Sequence, residues 1–129
     1  MKVSEHEQIG GRWSEYATSG VEDWEVVFAS EDGDYQGSCE FIARSPDGSQ
    51  YMETAWSWGS CSGCDPWEDE PHEVVEAEFL ANREYYGIES LKATLATLEA
   101  LPEPDYAYYW YNRPAKIEAL RAEVARVEG

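Results

Sequence analysis

Two cysteines, Cys61 and Cys64, have the spacing in this chain best suited to chemistry. A Cys-x-x-Cys pair can hold two corners of a tetrahedral zinc site, or cycle between dithiol and disulfide. Cys39 and His72 are the residues available to complete a Cys₃His set, which would be a closed structural Zn²⁺ centre. Zinc motifs usually bring two spaced ligand pairs, and only one is present. A thioredoxin-like pair opens a helix directly, whereas Pro66 and Pro71 delay the helix here. Nearby carboxylates would also raise a thiol pKa rather than lower it. The third reading is structural: small residues from Gly59 to Gly63 allow a sharp turn, with the thiols packing as small hydrophobes. Zinc site, thiol-dependent enzyme and structural loop all stand open on the sequence.

Charge marks a second candidate. The net charge is −18, with 19 Asp/Glu against 3 Lys/Arg in residues 1–80 and 8 against 6 in residues 81–129. Asp65, Glu68, Asp69, Glu70, Glu73, Glu76 and Glu78 follow one another with no Lys or Arg between them. No calcium-loop spacing is present among them. Such a field repels nucleic acid and attracts basic partners, although it also serves solubility. Carboxylates spaced like phosphates can occupy a basic groove, which is nucleic-acid mimicry. The connector holding Tyr106, Tyr108, Tyr109, Trp110 and Tyr111 offers Tyr108 and Trp110 as further contact residues, because Tyr and Trp dominate interface hot spots. Its plainer role is to fill core. No Ser-His-Asp arrangement, Gly-x-Gly-x-x-Gly or phosphate loop is visible, so no catalytic residue is assigned.

The elements that must position these residues read as follows. Trp24 to Ala29 is a strand, with Glu31-Asp32-Gly33-Asp34 as the turn after it. Tyr35 to Ala43 alternates, placing Cys39, Phe41 and Ala43 on one face and Glu40 and Ile42 on the other. Ser45-Pro46-Asp47-Gly48 is a second turn, and Gln50 to Trp58 a third strand with Met52, Thr54, Trp56 and Trp58 opposite Tyr51 and Glu53. A helix is predicted from about Pro71 to Tyr86, ended by Gly87. Ile88, Leu91, Leu95 and Leu98 mark another helix, and Ile117, Leu120, Val124 and Val127 a further one. Pro102 and Pro104 stop the first, and Pro114 starts the second. Residues 1–20 predict no long element, with Trp13 and Tyr16 as anchors.

The fold class is therefore α+β: an antiparallel three- to four-stranded meander packed against two or three C-terminal helices, including a helical hairpin. One domain of residues 1–129 is expected, with a sheet portion over 1–64 and a helical portion over 71–129. No apolar run approaches the ~20 residues of a membrane span. A polar N-terminus and an odd cysteine count point to a reducing, cytoplasmic setting.

The run Trp58-Gly59-Ser60-Cys61-Ser62-Gly63-Cys64-Asp65 resembles the (Tyr/Trp)-Gly-Ser-Cys-Ser-Gly-Cys-Asp motif of a group of small bacterial and bacteriophage proteins with no established activity. Asp34-Tyr35-Gln36-Gly37 is similar to the acidic-Tyr-Gln/Glu-Gly stretch those proteins often carry upstream. The resemblance spans residues 24 to 70. It implies a phage or prophage accessory protein, and one place in the fold formed by Tyr35, Gln36, Gly37, Cys61, Cys64 and Asp65; Trp58 is a further candidate for the same loop pocket. The expected function is non-enzymatic: binding, and inhibiting, a host protein with a basic surface, in the host cytoplasm. A small zinc-binding or thiol-dependent enzyme, and a nucleotide-binding protein using the Tyr35–cysteine-loop pocket, are the alternatives.

Overall fold

Strict alternation along two central strands decides the layering. The computed structural model describes residues 1–33, 37–59, 67–101 and 113–129. Strands β1 (Glu25–Gly33), β2 (Gly37–Arg44), β3 (Tyr51–Trp58) and β4 (Glu84–Tyr86) form an antiparallel meander in the order β1-β2-β3-β4. The helices are α1 (Ser14–Ala17), α2 (His72–Ala81), α3 (Ile88–Ala100) and α4 (Arg113–Glu128), preceded by a 3₁₀ turn at Val3–Glu5. The α+β architecture matches the expectation, with β4 as the fourth strand.

Side chains of successive strand residues point to opposite faces. Cys39, Phe41, Ala43, Met52, Trp56 and Trp58 enter one core, sealed by Val3, Ala17 and Val21 of the N-terminal segment and by Val75 and Phe79 of α2. Ile42 and Tyr51 enter the other, sealed by Leu91 and Leu95 of α3 and Leu120 of α4. Three layers result, with the sheet in the middle. Each fully buried Phe41, Phe79, Leu91 or Leu120 side chain contributes about 1.5–3 kcal/mol by leaving water.

A bulge lies between Val26 and Phe28. Val26 and Ala29 belong to the first core, while Val27 packs into the second and Phe28 pairs with Ile42. The extra residue thus turns two consecutive apolar side chains toward the helical hairpin.

Several expected boundaries move. β1 continues through Asp32 and Gly33 to a Gly33–Gly37 pair, so the predicted turn residues Glu31 to Gly33 are strand. Residues 34–36 lie outside the described set. The predicted helix to Tyr86 stops at Ala81. Asn82 donates to the Ala55 carbonyl at 3.1 Å, and Glu84–Tyr86 then adds to the edge of β3. An open strand edge beside β-favouring Tyr85 and Tyr86 outcompetes helical continuation. Gly87 accordingly precedes α3 as its N-cap instead of ending α2. The apolar stripe of α4 ends at Val124, since Val127 is exposed. The second turn holds as predicted: Asp47 accepts from the Ser45 and Ser49 hydroxyls and the Ser49 amide, and Gly48 takes a φ of 79°.

Polar pairs fix the helical hairpin on its face. Glu123 is buried and accepts from both Arg44 (2.8 Å) and Arg126 (2.7 Å) and from the Tyr51 hydroxyl (2.6 Å). Lys116 reaches Glu40 at 3.3 Å, and Tyr86 donates to Glu53 at 2.7 Å.

Candidate functional site

The segment that carries Cys61 and Cys64 lies in the sequence between Trp58-Gly59 and Trp67. Both flanks sit in one aromatic cluster on the α2 side of the sheet. The Trp67 ring packs 4.6 Å from Phe79 and 6.1 Å from Trp13, centroid to centroid. Tyr16 stacks on Phe79 at 6.0 Å, and Trp56 meets Phe79 edge-on at 6.1 Å. The N-terminal segment is strapped across this cluster. Trp56 Nε1 donates to the Arg12 carbonyl at 2.8 Å. Gly11 lies against the Trp58 indole so closely that a Cβ would sit 2.4 Å from the ring. Gly11 has φ 79° and Trp13 has φ 76°, a left-handed conformation that a bulky residue adopts only when its surroundings enforce it. The Arg12 guanidinium stands 4.7 Å over the Trp13 ring.

Cys61, Cys64 and Asp65 lie outside the described residues, as do Tyr35, Gln36, Tyr108 and Trp110. Trp58 is buried in the cluster just described. Of the four candidate zinc ligands, Cys39 and His72 are described. Cys39 is 2% exposed, and its thiol donates to the Gln8 carbonyl at 3.5 Å. Burial, with added repulsion from Glu31 and Glu40, pushes this thiol up to about 11. At neutral pH it is protonated and chemically quiet. His72 sits at the start of α2, where Nδ1 meets the Tyr16 hydroxyl at 2.8 Å and Nε2 faces Glu76 at 3.5 Å. Among the described residues no three His, Cys, Asp or Glu gather with metal-binding geometry.

The acidic stretch is divided by the fold. Glu68 is half-buried, with its carboxylate 4.0 Å from Arg12. Trp67 Nε1 donates to Glu78. Asp69, Glu70, Glu73 and Glu76 are exposed. Cations are concentrated on the opposite side of the sheet and are paired there: Arg44 and Arg126 with Glu123, Lys116 with Glu40, Arg121 with Glu99, and Lys92 with Glu128. Arg83, the cation nearest in sequence after α2, donates to the carbonyls of Tyr16, Ala17 and Ser19 at the end of α1. Among the described residues, the carboxylates of Asp69, Glu70 and Glu73 have no Lys or Arg within ion-pair distance.

Against protein-family models, curated proteins and solved structures, the chain matches nothing.

Two polar arrangements are absent from the sequence-level expectations. The Tyr16–His72–Glu76 chain joins residues 56 positions apart, and the Arg44–Glu123–Tyr51–Arg126 cluster contains a bond between residues 79 apart. Spacing along a chain carries no signal for such pairs. Among the described residues, no helix is long and apolar enough to cross a membrane.

Proposed function

We propose that this protein is a non-enzymatic accessory protein of the bacteriophage type that binds a basic surface on a host protein and inhibits it. The single observation carrying this reading is the separation of charge. The cations of the α3–α4 side are consumed by internal ion pairs, while Asp69, Glu70 and Glu73 project beside α2 without one. Among the described residues no Lys or Arg pairs with these three carboxylates, so their field extends into solvent and accelerates encounter with a row of Lys and Arg. A groove built for phosphates meets the same requirement, which makes nucleic-acid mimicry the natural mode of inhibition. The Trp58–Asp65 resemblance supports the phage provenance and a host-cytoplasm setting.

The test is capture from bacterial lysate on immobilised protein, with stepwise salt elution. The expected result is a basic protein that elutes well below 1 M salt and is lost from an Asp69→Asn/Glu70→Gln/Glu73→Gln variant. Capture of nothing basic, or capture indifferent to the three neutralisations, overturns the reading.

A further inference from the structure

α2 turns Val75 and Phe79 inward, where they are 1% and 2% exposed. At 100° per residue, the side opposite that pair is centred on Ala77, with Val74 and Ala81 to one side and Leu80 to the other. All four are exposed, Val74 by 38% and Leu80 by 46%. The helix thus shows an apolar stripe to solvent as well as to the core. Scattered single apolar residues on a surface need no explanation. Four on one face of a 10-residue helix do. The stripe is bordered by carboxylates: Glu73 at its N-terminal end, Glu76 beside Leu80, Glu78 beside Val74, with Asp69 and Glu70 just before the helix. Tyr85, 48% exposed, lies on the same side of the sheet, because its strand partner Met52 faces that core.

We infer that the outer face of α2 docks a basic amphipathic helix of the partner protein, apolar residues against Val74, Ala77, Leu80 and Ala81 and Lys or Arg against the bordering carboxylates. This rests on the acidic-surface reading above and specifies its occupant. The small Ala77 and Ala81 side chains let a second helix approach to the short end of the ~8–10 Å interaxial range. Charge selects the occupant. A second copy of this chain would bring the same carboxylates face to face, and an anionic membrane surface is repelled by a protein of net charge −18. A helix with apolar residues at i, i+3, i+4 and i+7 and basic flanks complements both features at once.

The probe is an 18-residue peptide of leucine and lysine patterned at the helical period, with a scrambled peptide of equal composition as its partner, followed by fluorescence anisotropy near 0.15 M salt. The patterned peptide should bind wild-type protein at least about tenfold more tightly than the scrambled one. A Val74→Ser/Leu80→Ser variant should lose that preference and bind both alike. Ala77→Glu should lose it too, although it adds negative charge, because it blocks close approach. All three positions are solvent-facing, and thermal unfolding checks that each variant is folded. Equal binding of the two peptides to wild type, or a preference that survives in either variant, overturns the docking face while the acidic-surface reading stands. Binding of neither peptide overturns both. A wild-type dimer in sedimentation that dissociates in Val74→Ser/Leu80→Ser assigns the stripe to a second copy and overturns the inference.

Discussion

Removing the Glu123 carboxylate should cost this fold a large part of its stability. Glu123 is 6% exposed and receives two arginines and a tyrosine hydroxyl. Glu123→Ala leaves Arg44, whose side chain is 20% exposed, without the carboxylate it pairs with, and leaves the buried Tyr51 hydroxyl without that acceptor. Deleting one member of a buried pair typically costs about 3–5 kcal/mol. Arg126 is 49% exposed and stays hydrated, which places the loss at the lower end, about 3 kcal/mol. For a chain of this length that lowers Tm by about 10 °C. Denaturant unfolding with Glu118→Ala, an exposed position on the same helix, as the control measures it. An Arg44→Met/Glu123→Leu pair should recover most of the loss, because no charge is then stranded. The pH dependence has a fixed sign. Burial alone would raise the Glu123 carboxyl, but hydrogen bonds from Arg126, Tyr51 and Arg44 outweigh it and hold it below its ordinary 4.5. Stability from this group is therefore fully present above about pH 4.5 and is lost as pH falls through the lower folded value. The gap between wild type and Glu123→Gln should close in that window. A Glu123→Ala loss within about 0.5 kcal/mol of the Glu118→Ala control, or a gap to Glu123→Gln unchanged from pH 7 to pH 3, would refute the reasoning.

Three further outcomes are expected. Gly11→Ala should destabilise by about 3 kcal/mol, combining a left-handed φ with overlap on the Trp58 ring, while Gly48→Ala, at φ 79° in open space, should cost only about 1 kcal/mol; equal losses in thermal melts would contradict the strap geometry. In a Cys61→Ser/Cys64→Ser background, Cys39 should resist a thiol reagent at pH 8 until the protein unfolds, and rapid native labelling would show that its burial is wrong. Arg83→Met should free the carbonyls of Tyr16, Ala17 and Ser19 and loosen α1 by about 1–2 kcal/mol, read as faster amide exchange in residues 14–21 with the α3–α4 hairpin unchanged.

Much of the architecture is legible along the chain, because period-2 and period-3.6 patterns report local geometry. Cys39, Phe41 and Ala43 share one core and Ile42 lies in the other, as alternation predicts. Leu91, Leu95 and Leu120 seal the second core as their spacing predicts. The second turn, Ser45-Pro46-Asp47-Gly48, also holds, since its hydrogen bonds close within five residues. The misplaced end of α2 has a non-local cause. Ending α2 at Ala81 depends on the open edge of β3, a partner about 30 residues away that no local window contains.

By itself the sequence determined the α+β class, the two faces of the sheet, the helical hairpin and the lopsided negative charge, all of them consequences of residue type at short spacing. Tertiary structure alone decided which carboxylates are neutralised and which face solvent, that Trp58 and Trp67 on either side of the Cys61–Cys64 segment seat in one aromatic cluster, and that α2 carries an apolar stripe on its outer side. The physical reason is that pairing, burial and exposure are relations between distant residues, and chain folding is what brings those residues within reach of one another.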